Sequence, residues 1–178
     1  PVTERTPARS YPDLHDHLKA LDEAGLLVTV DREINKDTEM HPLVRWQFRG
    51  GIEEKDRKAF LFTNVVDSKG NKFDMPVAVG VLAANREIYA MGMGCPVEEV
   101  QDRWAQAIAN PIAPKEISSD EAPCHEVIIE GDDLDKPGNA LDYIPVPIST
   151  PGWDVGPVAT LTQYVTRDPD TGLSNMGN

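Results

Sequence analysis

Two runs, Ala59-Phe60-Leu61-Phe62-Thr63-Asn64-Val65 and Pro76-Val77-Ala78-Val79-Gly80-Val81-Leu82, are apolar at nearly every position instead of every second one. A strand with one wet face alternates apolar and polar residues. A run apolar on both faces needs cover on both, which points to strands sandwiched by helices in an α/β domain. The intervening Asp67-Ser68-Lys69-Gly70-Asn71-Lys72 is a turn-rich linker. Upstream, Leu26-Leu27-Val28-Thr29-Val30 reads as another strand, continuing through Asp31 to Ile34 towards an acidic turn at Asn35-Lys36-Asp37. Covering helices are expected on either side of it. The first has Ser10 as N-cap and Asp13 three residues on, with Leu14, Leu18 and Leu21 at helical spacing until Gly25 stops it. The second runs from about Asp37 to Arg49, carries Met40, Leu43, Val44 and Phe48 inward, and ends at Gly50-Gly51.

The pattern then becomes helical. Asn85 caps a short helix to Met93, closed by Gly92 and Gly94, and Pro96 opens a further helix as an N1 proline. Val97, Val100, Trp104 and Ile108 form the apolar stripe of that helix. Glu53 to Lys58 is a charge run of the kind found in solvated loops. Proline and charge concentrate from Asn110 to Pro123, which sets a domain boundary: residues 1–112 form the α/β domain and 113–178 begin a second domain. In the second part, Glu126-Val127-Ile128-Ile129-Glu130 reads as a strand, Asp132-Asp133-Leu134-Asp135 as a solvated turn, and Ile144-Pro145-Val146-Pro147-Ile148 as an extended segment that its prolines confine to an edge or linker position.

Several tempting chemistries fall away on spacing. Cys95 and Cys124 are too few for a disulfide framework or zinc knuckle, and Met91, Met93 and Cys95 read as core filler. Cys124 and His125, adjacent in an extended chain, point to opposite faces. His15 and His17, two apart on a helix, diverge and are expected at the surface. The three aspartates near 132 lack the spacing of a calcium loop. A net charge of -13 argues against nucleic acid and anionic membranes as partners. No apolar run reaches the ~20 residues of a membrane span, and the first residues lack the apolar core of a signal peptide, so a cytoplasmic protein is expected.

The stretch from Pro157 to Asn178 carries the chemistry. Val158 to Arg167 is strand-like, with Thr160, Thr162, Tyr164 and Thr166 on one face, and Asp168-Pro169-Asp170-Thr171-Gly172 is a turn that returns the chain at Ser174 to Asn178. The Asn175 carboxamide is a hard neutral oxygen donor suited to Mn2+ or Mg2+, and Gly177 lets backbone approach a phosphate closely. A plain hairpin with Asn and Gly near a strand end satisfies the same residues.

This stretch resembles one segment of the UbiD family of prenylated-flavin-dependent (de)carboxylases: its strand, its Arg-Asp-Pro-x-Thr-Gly turn and its Asn-x-Gly-x-Tyr-Arg signature, here present as far as Asn178. The Leu-Phe-x-Asn-Val and Met-Pro-Val elements around residues 61–65 and 75–77, and Ile144 to Ile148, fit the family's pattern as well. The resemblance implies an N-terminal α/β domain followed by the first strands of a flavin-reductase-like split β-barrel. It implies prenylated FMN and Mn2+, with or without K+ or Na+, as cofactors. By the same token Asn175 is a metal ligand, and Met176, Gly177, Asn178 and, near the cofactor on the strand taken to lie opposite Asn175, Thr160 are cofactor-binding. The reaction implied is reversible decarboxylation of an aromatic, heteroaromatic or α,β-unsaturated carboxylic acid by a homo-oligomer. The signature's Arg and the family's catalytic Glu pair are expected in the remainder of the chain, so no catalytic residue is assigned to positions 1–178, and this stretch alone is expected to be inactive and to need that remainder to fold stably. A non-catalytic FMN-binding split barrel and a structural subunit of a multi-subunit carboxylase are the other functional classes compatible with these residues.

Overall fold

A computed structural model describes residues 13–112, 117–159 and 164–177. Helix α1 spans Leu14–Glu23, and its N-cap is Asp13, whose carboxylate accepts from the Asp16 amide; the expected cap, Ser10, lies outside the described residues. The helix closes where Gly25 takes φ +68°, with Gly25 N–H bonding Asp22 O and Leu26 N–H bonding Leu21 O. The chain then forms β1 (Leu27–Val30), β2 (Ile34–Asn35), α2 (Met40–Arg49), β3 (Ala59–Phe62), β4 (Val65–Val66), β5 (Lys72–Phe73), β6 (Val77–Val79), α3 (Arg86–Met93) and α4 (Val100–Ala109). Strand β3 lies between β1, parallel, and β6, antiparallel; β4 lies between β2, parallel, and β5, antiparallel.

Two of the long strands expected from the sequence, Leu26 to Ile34 and Ala59 to Val65, are therefore each two, and the third, Pro76 to Leu82, is a strand only over Val77–Val79. The chains of β1 and β3 leave the first sheet side by side, at Val30 and Phe62, and re-pair as β2 and β4 in the second. Hydrogen bonds from Thr63 N–H to Val30 O and from Ile34 N–H to Asn64 O carry the pairing across the break. The charged Asp31-Arg32-Glu33 segment is exposed at this point, and breaking there leaves Ile34 free to turn inward.

Cover on both faces of β3 is observed. Ala59 points into a cluster with Leu21, Leu26, Val81, Ala84 and Ile88 under α1 and α3. Phe62 points the other way, into Ile34, Met40, Val44 and Val65 under α2, with Phe60 stacked on it at 5.9 Å between ring centroids. Two small cores share one strand.

Three helix expectations are corrected. Phe48 is exposed and Gln47 is buried in its place, because the Gln47 amide donates to Lys58 O (2.9 Å) and accepts from Lys58 N–H (2.8 Å), a side chain acting as one rung of a ladder. His17 is 5% exposed, on the inward stripe with Leu21, its Nε2 2.7 Å from Val81 O. The helix expected from Pro96 begins as a 3-10 turn, Val97–Glu99, and only becomes α-helical at Val100; Trp104 and Ile108 of its stripe are exposed. Asn85 does cap α3, accepting from Ile88 N–H, and Gly94 closes that helix at φ +66°.

From Ser119 to Tyr143 the chain is a succession of 3-10 turns. The strand expected at Glu126 to Glu130 is absent, and Val127 and Ile128 are exposed: no neighbouring strand among the described residues takes up its backbone groups. Residues 145–148 are in neither helix nor strand, and the stretch 144–150 is hydrogen-bonded to Lys36 and Arg45. The last elements are β7 (Tyr164–Arg167) and β8 (Ser174–Gly177), paired antiparallel. No helix among the described residues is long and apolar enough to cross a membrane.

Candidate functional site

The β7–β8 hairpin is built by its turn. Asp168 Oδ1 accepts from Asp170 N–H (2.8 Å) and Thr171 N–H (2.7 Å), Gly172 takes φ +72°, and Gly172 N–H returns to Asp168 O at 2.9 Å. Outside the turn, Asp168 N–H bonds Leu173 O at 2.9 Å and Arg167 Nε donates to Gly172 O at 3.1 Å. The Thr171 and Asp170 amides, with the Thr171 side chain, hold the Asp168 carboxyl below its ordinary range.

The register sets Asn175 opposite Thr166 and Met176 opposite Val165. Thr166 is thus the residue across from Asn175. Thr160 and Asn178 lie outside the described residues. Alternation separates the hairpin into a polar side, with Asn175 and Thr166, and a side where Val165 (70% exposed) faces Met176 (60%).

The exposed Asn175 carboxamide has no hydrogen-bond partner among the described residues, and a Cβ added at Gly177 meets nothing within 4 Å. An open amide oxygen beside an open backbone fits one ligand of a hard divalent cation next to a phosphate. It is a single ligand: among the described residues no group of three or more His, Cys, Asp or Glu could hold a metal ion. The Cys124–His125 pair is not brought together for chemistry either; His125 Nδ1 instead lies 2.8 Å from Ser119 Oγ.

The structure also assembles residues that sequence reading passed over. The Lys36 side chain is 8% exposed, and its Nζ donates to Asp37 Oδ1 (2.6 Å) and to Val146 O (3.0 Å). Burial pushes the Asp37 carboxyl up, but the Lys36 ammonium and the Ser68 amide outweigh it, and the carboxyl titrates below its ordinary range. On α2, Arg45 Nη2 donates to Ser149 O (2.8 Å) and Thr150 Oγ1 (3.1 Å). His41, one turn before Arg45, is pushed down by burial and by the Arg45 charge, against an upward pull from Asp154. A lysine between a strand and a helix has no spacing signature, so Asn35-Lys36-Asp37 could be read only as an acidic turn.

Comparison with known proteins matches both parts of the chain. A family profile described as the 3-octaprenyl-4-hydroxybenzoate carboxy-lyase N-terminal domain, UbiD_N, covers residues 18–108, and one described as the UbiD carboxy-lyase Rift-related domain covers residues 115–178. Among solved structures, an evolved dimeric form of the UbiD-class enzyme HmfF from Pelotomaculum thermopropionicum, in complex with prFMN, is 29% identical with a TM-score of 0.72 over 91% of this chain and 34% of its own. HmfF in complex with FMN is 30% identical with a TM-score of 0.70 over 91% of this chain and 32% of its own. Vanillic acid decarboxylase of Sedimentibacter hydroxybenzoicus in open form, at 22% identity, a TM-score of 0.71 and 94% coverage, shares the fold. The chain spans about a third of the length of these structures.

Proposed function

The chain belongs to the UbiD carboxy-lyase family, and on that premise we propose that it forms the first part of a prenylated-FMN-dependent enzyme that reversibly decarboxylates an aromatic, heteroaromatic or α,β-unsaturated acid. The observation that carries the reading is the hairpin: a turn-fixed pair of strands presents the free Asn175 carboxamide beside the unobstructed Gly177 backbone. The HmfF structures, in complex with prFMN and with FMN, support the flavin. When bound, prenylated FMN supplies the electrophilic centre and electron sink for loss of CO2.

This chain's own residues act by holding. Asn175 Oδ1 donates to the divalent metal, Mn2+ in this proposal, and being neutral leaves that ion's positive charge available to the cofactor phosphate. The backbone of Met176 and Gly177, continuing to Asn178, would lie along the cofactor, and Thr160 is proposed to lie near it. The groups that move the proton and bind the substrate carboxylate belong to the remainder of the protein, which assembles as a homo-oligomer.

The test is CO2 release by the intact protein, loaded with prenylated FMN and Mn2+, from a panel of aromatic, heteroaromatic and α,β-unsaturated acids. The expected result is release from at least one class that requires both cofactors, with Asn175→Ala weakening Mn2+ binding by at least about tenfold. An intact protein that binds no flavin overturns the reading.

A further inference from the structure

Residues 144–150 carry two prolines, Pro145 and Pro147, which have no N–H to give to a sheet. Cationic side chains of the first domain hold this strap instead. Lys36 Nζ donates to Val146 O at 3.0 Å while paired with Asp37 at 2.6 Å, and the Lys36 carbonyl accepts from Ile148 N–H at 3.3 Å. Arg45 takes the next two residues, through Ser149 O and Thr150 Oγ1. Thr150 N–H then bonds Asp154 Oδ2 at 2.7 Å, turning the chain, and Val158 N–H bonds Pro147 O at 3.3 Å, folding the start of the signature segment back onto the strap.

Charge is an unusual choice for this contact. The Lys36 side chain is 8% exposed, and an ion pair withdrawn from water gives little net stability over a well-packed apolar pair. What a buried ammonium adds is direction: sliding the strap by one residue removes Val146 O from Nζ and leaves the ammonium with Asp37 as its one acceptor. An apolar contact would tolerate that slip.

We infer that Lys36 and Arg45 are positioning residues: they fix the register of residues 144–150 on the first domain and through it set where the β7–β8 hairpin, with Asn175, stands. The inference rests on the proposed role of Asn175 as a metal ligand. Neither residue touches metal, cofactor or substrate in this role.

The experiment uses the intact protein with Lys36→Met, Arg45→Met and Asn175→Ala, singly and as Lys36→Met/Asn175→Ala. It reads amide hydrogen exchange at Ile148 and Val158 together with Mn2+ affinity by titration. Lys36→Met is expected to speed exchange at both amides by about tenfold and weaken Mn2+ by about three- to tenfold, with Arg45→Met in the same direction. In the Asn175→Ala background the Lys36→Met change should leave Mn2+ affinity where Asn175→Ala already put it, because the ligand being positioned is gone. Unchanged strap exchange in both single variants overturns the latch, and multiplicative losses of Mn2+ affinity in the double variant overturn the positioning role. A merely structural role would lower stability without that non-additivity. If Lys36→Met does not fold, Arg45→Met at the half-buried end of the latch gives the same readings and is paired with Asn175→Ala instead. Wild-type protein that binds no Mn2+ overturns the reading of Asn175 itself, while the exchange data still decide whether the latch exists.

Discussion

Residues 14–109 and residues 117–177 use similar building blocks to different effect. In the first region a single strand, β3, feeds two cores, and Phe62, Ile34, Met40, Leu21 and Ile88 are fully buried. In the second, Val127, Ile128, Val165, Leu173 and Met176 are all exposed, and Pro145 of the strap is the one buried residue among those described. The first region is held by apolar packing on both faces of a sheet. The second is held by turns, and by polar bonds from Lys36 and Arg45 to the first. Apolar content alone does not make a core; the faces must meet, and in residues 117–177 the described elements do not supply each other's cover.

That contrast can be broken by mutation. Phe62→Ala in the intact protein is expected to cost about 3–5 kcal/mol by urea denaturation followed through the first region, whereas Val165→Ala, at an exposed site, should stay within about 0.5 kcal/mol unless the rest of the protein covers it. A large cost at Val165 would show that the hairpin's apolar side is buried in the complete molecule. Next in size, Asp37→Ala leaves the Lys36 ammonium buried with one backbone acceptor and should cost about 2–3 kcal/mol, with the strap amides exchanging faster than those of β3.

A smaller effect sharpens the comparison through pH. Asp37 titrates below its ordinary range in the folded chain, so its contribution is fully present above the unfolded value and is lost as pH falls through the folded one. His41 is also depressed: folding favours its neutral form, and its contribution is present above the ordinary imidazole range and lost on acidification below it. The protection of the strap amides, taken relative to the intrinsic exchange rate at each pH, should therefore fall in two steps on acidification, one below about pH 6.5 that His41→Gln removes and one below about pH 4 that Asp37→Asn removes. The smallest effect belongs to Asp168→Ala. It should loosen the exposed Thr171 and Gly172 amides, seen by hydrogen exchange, and leave the denaturation midpoint of the first region unchanged.

Much of the first region was legible from residues alone. Apolarity at consecutive positions of 59–62 announced cover on both faces, and Asn85 and Gly94 marked the ends of α3 where they were expected. What escaped was tertiary choice. Nothing local distinguishes Gln47 from Phe48 as the inward residue until Lys58 offers both backbone groups, and nothing local makes Lys36 a buried cation until Val146, 110 residues away, supplies a carbonyl. Glu126 to Glu130 has strand composition, but a strand exists only where a neighbour pairs with it. At the candidate site the turn was readable because Asp, Pro and Gly specify it locally. The register was not: setting Asn175 against Thr166 depends on the turn's bonding pattern.

The account turns on Asn175, and the direct measurement is anomalous scattering at the manganese edge from crystals of the intact protein loaded with flavin and Mn2+. The expected result is a peak about 2.0–2.6 Å from Asn175 Oδ1, shared with a phosphate oxygen of the flavin. A manganese peak elsewhere, with the Asn175 carboxamide turned away from it, would contradict the account.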